Sequence, residues 1–117
     1  MVKQKKKLLK VKMKINDKEL KVFSTNGFSN SFKELEQQLY VNIVNSILCK
    51  KPIDMLVFEY NNGLQNVRSA GYDLKNFVLD ESTILYSKKS QPVRTFWFKI
   101  DDYYDYYVGT FLLPEEY

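Results

Sequence analysis

SFKELEQQLYVNIVNSILCKKP, residues 31–52, is the stretch on which the fold class turns. Leu35, Leu39, Ile43 and Ile47 recur at i+4, and Tyr40, Val44 and Leu48 widen the same apolar stripe. Lys33, Glu36, Gln37 and Asn45 then fall on the opposite side, so the segment reads as an amphipathic helix with one broad face to bury. Ser31-Phe32-Lys33-Glu34 fits a capping box, in which the serine oxygen accepts from the N3 backbone and the N3 glutamate reaches back, so the helix is expected to start there. Pro52 forces its end near Lys50.

Toward the N-terminus the period changes to two. Leu9, Val11, Met13 and Ile15 alternate with Lys10, Lys12 and Lys14, the pattern of a strand over residues 8–15 with one face buried and one in water. Asn16-Asp17 supplies turn chemistry, and Leu20, Val22 and Phe23 suggest a return strand, hence a β-hairpin. Beyond the helix, Met55 to Tyr60 reads as a strand, Asn61-Asn62-Gly63 as its turn and Leu64 to Arg68 as a shorter extended piece. Leu74, Phe77, Val78 and Leu79 fall in an irregular stretch after Gly71 with room for a short helical turn, and Thr83 to Ser87 reads as a strand. Phe96 to Ile100 and Tyr106 to Leu113 read as a further hairpin joined through Asp101-Asp102. One long helix available to cover one face of a mixed sheet is an α+β arrangement, in the order β-β-α-β-β-β.

A chain of 117 residues fits one domain whose core needs neither metal nor disulfide. Cys49 is the only cysteine, which excludes a disulfide-held secreted scaffold and fits an intracellular, reducing compartment. No apolar stretch long enough for a signal-peptide core or a membrane span follows the basic N-terminus, so neither a signal peptide nor a membrane partner is expected. The formal charge of +4 conceals a stronger asymmetry, +7 over residues 1–21 against −5 over residues 101–117. Each end could attract the other or a partner.

Leu56-Val57-Phe58, the run from Gly71-Tyr72-Asp73-Leu74 to Leu79, and Glu81-Ser82-Thr83-Ile84 together resemble ubiquitin. They match its strand after the helix, its loop with spaced leucine, tyrosine and isoleucine, and its last strand. With the hairpin and helix the resemblance covers roughly residues 8–88 and implies a ubiquitin-like β-grasp domain over residues 1–88. A terminal Gly-Gly is missing, which does not fit a protein-conjugated modifier. Val57 matches an apolar residue of ubiquitin's partner-binding patch, whereas Ser87 falls where that patch has valine. Residues 89–117 are expected to form a C-terminal, hairpin-like extension packing on the domain or on a partner. Gln91-Pro92-Val93, Phe96-Trp97-Phe98-Lys99, Asp101-Asp102 and Leu113-Pro114-Glu115-Glu116 are similar to the tail of the elongin B family, and Ile47-Leu48-Cys49-Lys50-Lys51-Pro52 to its helix end. The longer helix, the lysine-rich start and the crowded Tyr103, Tyr104, Tyr106 and Tyr107 depart from that family.

The resemblance implies binding rather than catalysis, with no cofactor. An elongin B-like protein is a non-catalytic adaptor that pairs with an elongin C-like protein. Through it the pair reaches substrate receptors and a cullin in a cullin-RING ubiquitin ligase, or a transcription elongation complex, in nucleus and cytoplasm. If Leu9, Val11, Met13 and Ile15 face the helix with Leu56 and Ile84, then Lys12, Lys14, Val57 and Leu85 share the other face of the sheet, apolar residues rimmed by lysine. Those four, with Phe96 and Phe98 of the apolar tail strand and Tyr103 and Tyr104 beside the acidic turn, are the expected partner-binding residues.

Other chemistry finds little support in the residues. The absence of histidine removes His-based triads and His metal ligands, and a single cysteine cannot build a zinc site. Cys49 without a base partner reads as a small residue near a helix end, and the scattered Gly27, Gly63, Gly71 and Gly109 make no phosphate-cradling loop. Asp101, Asp102 and Asp105 lack the ligand-and-glycine pattern of a calcium loop and read as an acidic turn. The alternative function is a small basic nucleic-acid-binding protein using the N-terminal lysines. Strand alternation accounts for Lys10, Lys12 and Lys14 without nucleic acid, leaving Lys3 to Lys7 as a frayed, solvated terminus.

Overall fold

In the computed structural model, residues 6–15, 17–48, 54–61, 64–69, 72–78 and 95–117 are described. Strands β1 (Lys6–Ile15) and β2 (Lys18–Thr25) form the expected antiparallel hairpin. Asp17 turns the chain with a φ of 66°, a left-handed geometry that aspartate tolerates better than most residues. The strand starts earlier than its alternation suggested: Lys6 and Lys7 already pair with Thr25 and Ser24. Between Leu9 and Met13 the register shifts, so that β1 carries a bulge.

A short helix precedes the expected one. Thr25 caps α1 (Asn26–Ser31), its hydroxyl oxygen accepting from the Phe28 N–H at 3.3 Å. Phe32 then turns extended, with φ −129° and ψ 141°, which lets Phe28 and Phe32 both bury with ring centroids 4.9 Å apart. Helix α2 (Glu34–Leu48) starts beyond that break. The predicted box at Ser31 does not form, since the Ser31 hydroxyl donates back to the Gly27 carbonyl at 2.7 Å. Its role passes two residues on, where Glu36 accepts the Lys33 N–H at 2.9 Å. Glu36 is therefore buried rather than on the wet side, and Leu35, expected in the stripe, is 62% exposed. Tyr40 and Val44, pressed into the core, set the phase of the helix, with Leu39 and Ile47 at its margins.

After the helix come β3 (Met55–Asn61), β4 (Leu64–Ser69) and β5 (Tyr72–Val78), an antiparallel meander. The stretch read as an irregular, loop-like segment after Gly71 is thus a strand. Its partner register runs Val67 to Lys75 and Arg68 to Asp73, which leaves Leu74 as an extra residue. One inserted residue flips the alternation, so the period of two is hidden. Thr83 to Ser87, including Ile84 and Leu85, and Cys49 lie outside the described residues, as do Lys3 and Lys5.

Strands β6 (Thr95–Asp102) and β7 (Tyr106–Leu112) form the expected terminal hairpin and lead into a 3-10 turn at Pro114–Glu116. Their position is internal: the described strands make one mixed sheet in the order β1-β2-β7-β6-β3-β4-β5. β7 runs parallel to β2, and β6 antiparallel to β3. The tail therefore packs on the domain as the two middle strands of its sheet.

Helix α2 lies over one face, and aromatic rings fill the space between. Phe58 and Phe96 stack at 4.7 Å, Phe28 and Phe111 at 4.8 Å, and Tyr40 meets Phe96 at 4.6 Å. Burying a phenylalanine is worth about 1.5–3 kcal/mol, and each such ring pair adds about 0.5–1.5 kcal/mol. No helix among the described residues is long and apolar enough to cross a membrane.

Candidate functional site

Period-two alternation divides each strand between two faces, and the register of neighbouring strands carries that division across the sheet. Leu9, Val11, Met13 and Ile15 join the core cluster with Leu56, as their alternation requires. Lys12, Lys14 and Val57 therefore look out of the helix-free face, the two lysines exposed and Val57 half-buried. They do not form one patch. Strands β2, β7 and β6 separate β1 from β3, a gap of roughly 19 Å at the usual spacing between strands. Leu85 lies outside the described residues.

Phe96 and Phe98 were expected at a partner surface, and the structure corrects this. They are 1% and 0% exposed, on the helix side of β6 opposite Phe58 and Phe111. The alternate residues of the same strand, Trp97 and Lys99, are the ones that reach the helix-free face. Alternation around Trp97 was the available signal, but an all-apolar Phe-Trp-Phe run does not reveal which parity faces inward.

The centre of the helix-free face is built by pairs across β2, β7 and β6. Lys21 lies beside Val108, Phe23 beside Thr110, and Asp101 on the far side of Val108, all from register. The Lys21 ammonium sits 4.2 Å from the centroid of the Tyr106 ring, and Tyr106 in turn stacks on Tyr103 at 5.8 Å with 19° between planes. Such a cation over an aromatic face is worth about 0.5–1 kcal/mol at an exposed site. Val57 continues the face on β3, where Glu59 and Arg68 pair at 2.5 Å. The resulting surface has half-buried apolar and aromatic groups in its middle, with lysine, arginine and carboxylate around them.

Tyr103 and Tyr104 stand at the β6–β7 turn, with Tyr104 93% exposed and held at a φ of 69°. A bulky side chain in left-handed backbone is strained, and here local hydrogen bonds hold it there. The Tyr104 N–H donates to Asp102 Oδ1 at 2.9 Å, and the Tyr103 N–H to the Tyr106 carbonyl at 2.9 Å. Asp102 also takes the Lys18 ammonium at 2.5 Å, and those hydrogen bonds, the lysine's first, hold its carboxyl below the usual aspartate range. Lys18 simultaneously lies 4.3 Å over the Tyr107 ring. Asp101 faces Lys99 at 3.7 Å. Asp101 and Asp102 thus pair with lysines of their own sheet, and no group of three metal-ligating side chains stands together among the described residues.

At the other end of the face the chain terminus folds over the sheet. Tyr117 meets Trp97 edge-on at 5.6 Å, and the Lys99 ammonium lies 5.0 Å from the Tyr117 ring. Glu116 anchors this cover by accepting from the Thr25 hydroxyl and the Gly27 N–H.

No protein-family model, curated protein or solved structure matches the chain.

Proposed function

We propose that the chain is a non-catalytic adaptor whose helix-free sheet face binds a partner protein. The supporting observation is the composition of that face: Phe23, Val57, Val108 and Tyr106 half-buried at its middle, with lysines interspersed. Apolar and aromatic centres with a polar rim are how protein interfaces are built. In its particular form the reading is an elongin B-like β-grasp subunit that pairs with an elongin C-like protein and so joins a cullin-RING ligase or an elongation complex. That form rests on the residue resemblances at 47–52, 56–58, 71–79 and 81–84 and on those of the tail between 91 and 116. The strand at Tyr72–Val78, where the resemblance implies a loop, is the feature it must accommodate.

Co-expression with an elongin C-like protein, followed by size-exclusion chromatography and light scattering, tests the reading. A one-to-one complex that Lys21→Glu with Val108→Asp disrupts, while the variant keeps its circular dichroism, is the expected result. A monomer indifferent to that partner ends the particular form. A salt-sensitive complex with labelled DNA or RNA, lost on replacing the β1 lysines, would establish the nucleic-acid alternative instead.

A further inference from the structure

We infer that the outer edge of β1 and the groove between β1 and α2 bind an extended acidic peptide from another protein, added as an extra strand. No described strand pairs with the outer edge of β1, so its outward N–H and C=O groups form a template for another strand. Beside that edge a groove of about 430 Å³ runs along α2, walled by Leu8, Leu9 and Val11 on the strand and by Gln37, Gln38 and Val41 on the helix. Leu8, which pairs with Phe23 and so stands on the helix-free side of β1, is 54% exposed, an apolar side chain that an added strand would cover from that side.

Charge selects the occupant. β1 carries five lysines in ten residues and no acid. A second copy of this chain would set lysine against lysine across the new pair, and like charges directly opposite are destabilising. An acidic strand reverses that sign. The pleat also fixes its pattern: next to Leu9 and Val11 on the helix side it needs apolar residues, and next to the exposed Lys12 and Lys14 on the other side it needs carboxylates. Glu34 on the helix wall disfavours acids beside it in the inner row, whereas Lys7, on the same parity as Leu9, accepts one at the end of that row. The fitting ligand is thus an extended segment in which Val, Ile or Leu alternates with Asp or Glu. The lysines that guard this edge against self-association leave it open to such a segment.

Fluorescence anisotropy of the full chain with a labelled peptide of alternating valine and glutamate tests this. Binding is expected to weaken as salt rises, and by about tenfold in Lys12→Glu with Lys14→Glu, in which two attractions of ordinary surface strength are lost and two repulsions take their place. The same peptide N-methylated on alternate residues, which keeps its charge but blocks strand pairing, should not bind. Amide chemical shifts should move along residues 7–14 and at Gln37 and Gln38. The inference is overturned if the glutamate peptide does not bind, if the methylated peptide or an alternating valine–lysine peptide binds as well, or if the shifts fall elsewhere. The wild-type comparisons hold even if the charge-reversed variant folds poorly. The result is independent of the adaptor reading, because a chain that ignores an elongin C-like protein still presents this edge.

Discussion

Glu116 Oε2 accepts the backbone N–H of Gly27 at 3.1 Å, so the last turn of the chain caps the first turn of α1. Its other oxygen takes the Thr25 hydroxyl at 2.5 Å and the Leu113 N–H at 3.0 Å. A carboxylate at a helix N-terminus satisfies donors that the helix itself leaves free. Glu116→Ala should therefore cost about 1–2 kcal/mol of unfolding free energy. It should also raise acrylamide quenching of Trp97, the only tryptophan, as Tyr117 leaves it. A Cβ on Gly27 would lie 2.6 Å from the Glu116 carboxyl carbon, so Gly27→Ala evicts the same group. Once Glu116→Ala has removed that carboxylate, alanine at 27 should become neutral or stabilising, as expected of alanine for glycine in a helix. Additive costs in the two backgrounds would show that no such contact exists.

A chain truncated after residue 94 should not fold. It would lack β6 and β7, exposing the β2 and β3 edges and removing Phe96, Phe98 and Phe111 from the core. The milder test is Phe96→Ala, expected to cost about 3–5 kcal/mol because the ring is stacked on Phe58 and packed against Tyr40. A cooperative thermal transition in the shortened chain would mean that the terminal hairpin is dispensable.

Gly109 sits under the Phe98 ring, where a built Cβ comes within 2.2 Å of Phe98 Cζ. Phe98 is fully buried and has nowhere to move, so Gly109→Ala should destabilise by about 1–3 kcal/mol, the usual cost of overpacking. Phe98→Leu shortens the ring and should absorb much of that cost, so the double variant should be more stable than the two single losses predict. Urea denaturation of the four proteins measures the coupling. A sum without coupling would place Gly109 away from Phe98.

The parts legible in the sequence are those where a regular period meets one environment. β1 alternates between core and water, and its assignment of Met13 and Ile15 inward and Lys12 and Lys14 outward stands. Tyr40, Val44 and Leu48 are buried for the same reason on α2. Where the chain deviates by one or two residues, the pattern misleads. Leu74 interrupts β5, and the break at Phe32 moves the helix start from Ser31 to Glu34. Trp97 between Phe96 and Phe98 offers no polar residue to mark the wet side, so the parity expected to face a partner is the one that faces the core. Strand order is not local at all: β7 lies between β2, far from it in sequence, and β6, adjacent to it, and no short segment encodes that choice.

The pairing of Lys18 with Asp102 ties the β1–β2 turn to the β6–β7 turn. Hydrogen bonding to Lys18 and to the Tyr104 N–H holds the Asp102 carboxyl below 3.8, its ordinary value. A carboxyl depressed in the folded state contributes stability in full above its unfolded value and loses it as the pH falls through the folded one. Asp102→Asn should thus be less stable than wild type at neutral pH, with the difference closing on acidification below about 3.8. Both groups reach solvent, so added salt should narrow the same difference at neutral pH. Lys18→Met should erase most of it, since the aspartate then has no cation to hold. Urea midpoints for wild type and the variants, followed from neutral pH down through the acid range, give the measurement. A gap that stays constant over that range would show that neither the Lys18 pair nor the Tyr104 N–H stabilises the ionised carboxyl of Asp102.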